Sequence, residues 1–266
     1  MPELVEVEAY RRLAEGALGR RIARVEAPDA WYLKGGLTGA VLDSALPGLK
    51  LTAARRRGKL LVLDTARPRS SGAGPSLGLR FGMTGRLVLD GRAGVEELIY
   101  SSRRAEPAWE RFALIFTDRS RLVMSDPRRL GGVILEPEEE RLGPDAAQLT
   151  LAELRSAVSG SRVALKARLL DQSRVAGIGN LLADEMLWRA GLSPEREAGS
   201  LDGAELRRLH RHLLSTVEQL SGRGGSHTGD LMTARRPGAV CPKDGRELRR
   251  ATIGGRTTWW CPAHQH

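Results

Sequence analysis

The hydrophobic pattern of this chain changes character about half-way along. The first segment, Pro2 to Ala17, places Leu4, Val7, Leu13 and Ala14 on one face at helical spacing. Short β-type runs follow, separated by turn-rich pieces such as RPRSSGAGPS and TDRS: RIARVEA, KLLVLDT, LGLRFGMTGRLVLD, RFALIFTD, RLVMSD and GGVILEP. Strands of this length and spacing predict a β-sandwich or barrel with the first helix packed against it.

The second half has a helical pattern. An acidic, proline-containing linker, EPEEERLGPDAAQLT, precedes the runs LAELRSAVSG, RVALKARLLDQ, GNLLADEMLWRAG and GAELRRLHRHLLSTVEQL. A Gly/Arg/Ser loop, SGRGGSHTGD, leads to a last compact piece. We therefore expect an α+β protein with two domains: a β-rich domain over 1–135, a linker over 136–147, a helical domain over 148–234 and a small hairpin over 235–266.

Composition narrows the choice of partner and compartment. The net charge of +10 and pI of about 10.5 favour a polyanionic partner, although an Arg-rich composition is also what a biased genome produces. Two cysteines make no disulfide framework and suggest metal ligation in a reducing cytosol. The N-terminus has no apolar signal region, and no run approaches the ~20 apolar residues of a membrane span. We expect a cytoplasmic protein without membrane attachment.

Five separated motifs resemble one known family. PELVEVE, RRRGKLLVL, SDPRRLGG, VAGIGNLLADEMLWRAGLSP and CPKDG…GRTTWWCPAHQ stand in the order found in the formamidopyrimidine-DNA glycosylase/endonuclease VIII family. The resemblance implies an N-terminal β-sandwich with a leading helix, then a helix–two-turn–helix domain that ends in a zinc-finger-like β-hairpin. It also implies a monomeric, bifunctional DNA glycosylase/AP lyase that excises oxidised bases from damaged double-stranded DNA in base excision repair.

Pro2 and Glu3 are the candidate catalytic pair. Removal of Met1 would leave a secondary amine on Pro2 with a pKa of roughly 8, so part of it would be neutral and nucleophilic. By resemblance, this amine attacks the deoxyribose C1′ and forms a Schiff base, while Glu3 moves protons, a task that calls for a raised pKa. An isolated Pro-Glu pair is also an ordinary helix start. Val5 stands where the family usually has proline.

Four residues of the first half match DNA contacts of the family. Lys59, at the tip of an apparent hairpin, matches the lysine that contacts phosphate and assists base release. Met83 matches the methionine that fills the space of the extruded nucleotide, and Arg128 and Leu130 match the pair facing the orphaned base. Leu130 replaces the usual Phe, so we expect weaker stacking. A solvated lysine, a core methionine and a plain turn are the alternative interpretations.

Two further residues match contacts to the DNA backbone. In GIGNLLADEM, a glycine-rich turn begins a helix whose N–H groups point at an anion, and Asn180 matches the asparagine that contacts the target strand. Helix capping by Asn180 is the compatible alternative. Glu185 is a weaker candidate, for supporting the loop that holds the N-terminus. Arg256 matches the finger arginine that grips the phosphate at the lesion.

The terminal hairpin departs from the family's four cysteines. The positions of the two Cys-x2-Cys pairs are filled by Cys241, Asp244, Cys261 and His264, and all four can bind zinc. We expect one structural zinc ion per chain, held less tightly than by four thiolates because carboxylate is a rarer structural ligand. A finger without zinc, held by its tandem tryptophans and strand pairing, is the alternative.

The choice of damaged base stays open. The stretch between the last helix and Cys241 is short and lacks aromatic residues, whereas the formamidopyrimidine branch has a long capping loop there. Two alternatives to the enzyme are a catalytically idle DNA-damage-binding protein of the same fold and a general basic nucleic-acid-binding protein.

Overall fold

The computed structural model describes nearly the whole chain as two compact units. The first unit comprises Pro2 and Glu6–Glu139, and the second comprises Glu3–Val5 and Glu140–His266. Met1, on which the processing prediction depends, lies outside the described residues, and so does part of the turn-rich piece RPRSSGAGPS. The described residues are 2–67, 72–95, 98–99, 104 and 106–266.

The first unit is built mainly from short antiparallel strands. Its helices and strands are α1 (Leu4–Glu15, whose first two residues belong to the second unit), β1 (Ile22–Glu26), α2 (Gly39–Ala45), β2 (Lys50–Arg57), β3 (Leu60–Ala66), β4 (Leu77–Arg80), β5 (Arg86–Leu89), β6 (Arg92–Ala93), β7 (Glu110–Phe116), β8 (Arg121–Ser125) and β9 (Gly132–Leu135). They form one sheet of order β1-β7-β8-β5-β6 and a second of order β2-β3-β4-β9.

A single apolar core joins the two sheets. It combines inward-facing residues of both, such as Leu63 of β3 and Phe112 of β7, with Val7, Tyr10 and Ala14 of α1. Alternation along β7 places Phe112, Leu114 and Phe116 in this core and Ala113 and Ile115 in a separate cluster. The predicted sandwich with a leading helix is therefore present.

Local details of the first unit differ from the sequence prediction. The run LGLRFGMTGRLVLD is not one strand: it divides into β4 and β5, which belong to different sheets. Gly82 turns the chain between them with φ 56°, in the left-handed region that favours glycine. Strand β2 was implied only by the predicted hairpin at Lys59, because the arginine run at its end interrupts the alternation of apolar and polar residues. Helix α2, which Thr38 caps, was also not predicted.

The second unit is helical and ends in a hairpin. Its elements are α3 (Leu151–Val158), α4 (Leu165–Leu170), α5 (Asn180–Ala190), α6 (Gly203–Arg223), β10 (Arg249–Ile253) and β11 (Arg256–Trp260). Capping boxes begin α3 at Thr150 and α6 at Asp202. Helix α6 extends three residues into the predicted loop and ends at Gly224, whose φ of 96° suits a C-terminal glycine.

The predicted fold class is confirmed, with sheets first, helices next and a terminal hairpin pair. Within the described ranges, none of the helices combines the length and apolar character needed to cross a membrane. The boundaries expected at 135, 147 and 234 remain predictions.

Candidate active site and DNA-binding residues

Glu3 occupies the N-terminus of α5. Its side chain is fully buried, Oε1 accepts a hydrogen bond from Leu181 N at 2.8 Å, and Oε2 accepts one from Leu182 N at 3.0 Å. These are N–H groups of the first helical turn, which have no partner within the helix. The positive end of the helix dipole favours an anion there. The anion that this helix end binds is therefore the chain's own carboxylate, whereas the sequence had suggested a phosphate.

Gly179 makes this capture sterically possible. It precedes α5, and a Cβ atom added to it would lie 2.1 Å from Glu3 Cδ and 2.4 Å from Glu3 Oε1. Only a residue without a side chain therefore lets the carboxylate approach. Leu4 N also donates to Gly177 O at 3.2 Å, which fixes the backbone after Glu3 to the same glycine-rich turn.

Asn180 does not cap α5, so the capping interpretation was wrong. The N-cap is Gly179, and no side chain of the cap residue bonds to the helix. Asn180 Oδ1 instead accepts a hydrogen bond from Lys166 Nζ at 2.7 Å, and Asn180 Nδ2 donates to Thr257 O at 3.1 Å. The lysine fixes which end of the amide is oxygen, and thereby the direction in which its N–H donors point.

Lys166 is a buried cation that sequence analysis missed. Its Nζ lies 2.6 Å from Asp184 Oδ1 and 2.7 Å from Thr258 Oγ1. Burial lowers the pKa of Lys166, and the ion pair with Asp184 opposes this effect. Arg235 donates to the other oxygen of Asp184 at 2.8 Å. This network ties α4 and α5 to the hairpin, and the only sequence signal was a lysine among the apolar positions of a helix.

Arg256 lies at the start of β11, immediately after a two-glycine turn. Its side chain is exposed. Gly254 has φ 58°, and a Cβ added there would lie 3.1 Å from Ala167 of α4. The turn therefore packs closely against α4, and Asn180 reaches the same strand through Thr257 O. Asn180 and Arg256 thus belong to one part of the second unit.

Lys59 lies at the hairpin turn that the sequence predicted. Strands β2 and β3 pair up to Arg57 and Leu60, so Gly58 and Lys59 form the turn, and Gly58 adopts φ 59°. Arg56 fixes the turn: its Nη1 donates to Gly58 O at 3.1 Å and its Nε contacts Glu8 of α1 at 3.1 Å. Lys59 itself is half-buried.

Met83 and the Arg128–Leu130 loop are neighbours in the first unit. A Cβ added to Gly82 would lie 2.4 Å from the backbone carbon of Leu130, so the turn that carries Met83 touches this loop directly. Arg128 and Leu130 are exposed and Met83 is half-buried. A single tight contact thus brings three of the predicted contact residues together.

Asp126 organises the same loop and was also missed. It is fully buried; its Oδ1 accepts from Thr84 Oγ1 at 2.5 Å and Arg128 N at 3.2 Å, and its Oδ2 accepts from Gly131 N at 2.8 Å. Its carboxylate therefore joins the Met83 turn to both ends of the loop. The Asp-Pro pair was a turn signal that could have pointed to this role.

Glu185 holds a different segment from the one expected. Its Oε1 and Oε2 accept from Asp230 N and Leu231 N, each at 2.9 Å, and Arg189 pairs with it at 2.7 Å. It therefore fixes the chain between α6 and the hairpin rather than the N-terminal segment, which Glu3 itself attaches to α5.

The four predicted metal ligands form one cluster. Ligand atoms of Cys241, Asp244, Cys261 and His264 all lie within 4.8 Å of one another. Asp244 Oδ2 lies 3.0 Å from His264 Nδ1 and 3.1 Å from Cys261 Sγ. Two sulfurs, a carboxylate oxygen and an imidazole nitrogen at this spacing fit a tetrahedral ion, so the group could hold a metal. Burial and Asp244 together raise the pKa of the Cys261 thiol to about 11.

Trp188 supports this cluster from outside it. Trp188 Nε1 donates to Cys241 Sγ at 3.2 Å, and Trp188 O lies 3.2 Å from His264 Nε2. A hydrogen bond from Nε2 leaves Nδ1 as the free ligand atom of the imidazole. Trp259 and both cysteines share an apolar cluster with Trp188, so the hairpin also has a small core of its own.

Pro2 is buried and directly precedes Glu3. The predicted roles of Pro2, Glu3, Lys59, Met83, Arg128, Asn180 and Arg256 remain predictions.

Known proteins share this architecture. The family model described as the formamidopyrimidine-DNA glycosylase N-terminal domain matches residues 1–133, and that of the formamidopyrimidine-DNA glycosylase H2TH domain matches residues 142–230. Formamidopyrimidine-DNA glycosylases of Xanthomonas campestris pv. campestris (strain 8004) and Paracoccus denitrificans are 35% and 33% identical over 100% of both chains. The solved structure of Lactococcus lactis Fpg with oxidized-pyrimidine DNA has a TM-score of 0.81 at 25% identity, with both chains fully covered.

The sandwich, the helical domain and the hairpin define a DNA-repair class of protein, and these matches identify it. The chain belongs to the formamidopyrimidine-DNA glycosylase family. Its function is accordingly that of a DNA glycosylase in DNA repair, and the predicted family is confirmed.

Proposed function

We propose that this chain is a bifunctional DNA glycosylase and AP lyase. It excises oxidised bases from damaged double-stranded DNA as a monomer and then cuts the strand through a Schiff base on Pro2. The main support is the position of Glu3, a buried carboxylate held by two backbone N–H groups directly after the proposed nucleophile. Such rigid placement suits a proton donor and acceptor at the reacting sugar.

The proposed reaction begins when removal of Met1 leaves the Pro2 amine free. Its lone pair bonds to C1′ while the bond from C1′ to the damaged base breaks; the nitrogen loses its proton, and the departing base takes one up. The C1′–O4′ bond then opens, O4′ receives a proton from Glu3, and C1′ is left as an iminium on the Pro2 nitrogen. Loss of a C2′ proton expels the 3′ phosphate and cuts the strand.

The remaining residues position the DNA in this proposal. Lys59, Asn180 and Arg256 bind phosphates, and Met83 and Arg128 keep the damaged nucleotide extruded. The direct contact between the Met83 turn and the Arg128 loop supports a joint role for the last two.

Zinc is the metal proposed for the cluster at the hairpin. Its mixed sulfur, nitrogen and oxygen donors suit this ion, and the supporting bond to Trp188 O orients the imidazole of His264. Bound zinc would cross-link the turns that contain Cys241 and Cys261 and so stabilise the hairpin.

Borohydride trapping on an abasic-site duplex tests the chemistry. We expect a covalent adduct with the wild-type chain and none with Pro2→Gly. Adduct formation should be strongly slowed in Glu3→Gln and unchanged in Glu15→Gln, a control carboxylate on the exposed side of α1. Tight lesion binding by the wild-type chain without an adduct would favour the idle damage-binding protein. Mass spectrometry that finds Met1 intact would contradict the role of Pro2.

A further inference from the structure

Trp31 is an unusually exposed tryptophan beside the loop of Arg128–Leu130. The chain has five tryptophans; Trp109 is half-buried, three are buried, and Trp31 is 68% exposed. Among the described large apolar side chains of the first unit, Trp31 and Leu130, which is 50% exposed, are the most exposed. Tryptophan is enriched at binding interfaces, where its ring supplies a large apolar surface beside a polar N–H group.

The position of Trp31 relative to that loop is fixed by an ion pair. Asp29 precedes the short 3-10 helix Ala30–Tyr32 and accepts from Trp31 N at 3.1 Å. The same carboxylate receives two hydrogen bonds from Arg129, both of 2.6 Å. Arg129 has φ 56° and lies between Arg128 and Leu130. The backbone of Trp31 is therefore tied to the loop through Asp29.

Two further contacts hold the segment that carries Trp31 against the Arg128–Leu130 loop. Lys34 N donates to Val133 O at 2.9 Å, just beyond the loop. A Cβ added to Gly131 would lie 2.4 Å from the hydroxyl of the buried Tyr32. Tyr32 at the end of the Trp31 helix and Lys34 shortly after it thus both contact the end of the loop.

The charge around Trp31 suits a phosphate backbone. Lys34 Nζ lies 4.7 Å from the centre of the indole ring and donates to Trp31 O at 2.6 Å. Trp31, Arg111 and Arg129 line one open groove of about 550 Å³. Asp29, the acidic residue closest to the ring in sequence, is already paired with Arg129 and lies 3.7 Å from Arg111. Glu110, the other acidic residue of the groove, is paired with Arg121 at 2.7 Å. A polyanion therefore meets an apolar ring beside Lys34 and acidic groups that already have arginine partners.

We propose that Trp31 and Lys34 bind the undamaged strand of the DNA duplex. The indole ring packs on sugars or bases of that strand, and the ammonium group contacts a neighbouring phosphate. This inference rests on the proposed function, in which Arg128 and Leu130 face the orphaned base, because the Trp31 helix is fixed to that loop. The surface would compensate in part for the weaker stacking of Leu130.

Fluorescence anisotropy with a labelled tetrahydrofuran-site oligonucleotide tests the proposal. We expect Trp31→Ala to weaken binding to the duplex by about tenfold, within the range of aromatic stacking on one base. Trp31→Phe should retain most of the affinity, and Val41→Ala, another exposed apolar residue of the first unit, should match wild type. The wild-type chain and the three variants should bind the labelled tetrahydrofuran-site strand with equal affinity when the complementary strand is absent.

Two results would overturn the proposal. One is duplex binding by Trp31→Ala within twofold of wild type, and the other is an equal loss on the single strand, which would mean a contact elsewhere. A second measurement does not depend on the Ala variant. Addition of the DNA duplex should quench the tryptophan fluorescence of the wild-type chain more than the tryptophan fluorescence of the Trp31→Phe variant. Borohydride trapping with the wild-type chain tests the proposed function separately. A missing adduct would contradict the enzymatic activity, whereas an unchanged duplex affinity of Trp31→Ala would contradict the Trp31 surface.

Discussion

Replacement of Gly179 with alanine tests whether the capture of Glu3 by α5 is needed for catalysis. The new methyl group would lie 2.1 Å from Glu3 Cδ, so the carboxylate must leave the helix end. It would lose its bonds to Leu181 N and Leu182 N. Hydrogen bonds to a charged group contribute about 1.5–3 kcal/mol each, so the free energy of unfolding should fall by up to about 3–6 kcal/mol. Water reaching the freed N–H groups would reduce this loss.

The catalytic effect should be larger than the structural one. A positioned acid–base group contributes roughly 10²–10⁴-fold, so single-turnover trapping on an abasic-site duplex should slow by at least about 100-fold. Gly203→Ala is the matched control: Gly203 also begins a helix, but the nearest atom to an added Cβ is 3.6 Å away. It should trap at the wild-type rate.

A non-additivity test separates displacement of Glu3 from general damage. If Gly179→Ala acts only through Glu3, adding it to Glu3→Gln should slow trapping little further. A trapping rate for Gly179→Ala within about threefold of wild type would refute the reasoning, because the clash would then have left a productive carboxylate.

Three other changes have defined outcomes. Lys166→Met leaves buried Asp184 without its closest cation, so urea unfolding should show a loss of about 3–5 kcal/mol, and a loss below about 1 kcal/mol would contradict the ion-pair role. Asp244→Ala should abolish the roughly stoichiometric zinc that elemental analysis is expected to find in the wild-type chain, and wild-type protein without zinc would reject the metal. The hydrogen bond from Arg129 lowers the pKa of Asp29 below 3.8; the stabilisation is therefore complete above that value and lost as pH falls through the lower folded pKa. Asp29→Asn should accordingly lower the thermal midpoint near neutral pH, and its difference from wild type should shrink as the pH falls below 3.8; a difference that does not change with pH would contradict the assignment.

Features encoded by neighbouring residues were predicted well. Lys59 lies in a tight turn because a glycine precedes it between two segments that pair as antiparallel strands. The spacing of Cys241, Asp244, Cys261 and His264 likewise anticipated a cluster, because two x2 turns flank one hairpin. Both predictions depended on short stretches of chain whose geometry follows from local backbone preferences.

Features that depend on distant partners were not predicted. Glu3 and Leu181 are 178 residues apart, and no local pattern indicates that one would complete the hydrogen bonds of the other. Lys166 appeared as an ordinary helix residue, and Asp126 as part of a turn, until their buried partners were known. Asn180 was interpreted as a cap for the same reason.

The sequence by itself determined the family, the order of strands, helices and hairpin, and the identity of the candidate nucleophile. Tertiary structure alone decided that Glu3 is the anion at the end of α5, that Lys166 orients Asn180, and that Asp29 ties the backbone of Trp31 to Arg129. The physical reason is that periodicity and turn chemistry act over a few residues, whereas buried hydrogen bonds and ion pairs form between groups that only folding brings within 3 Å.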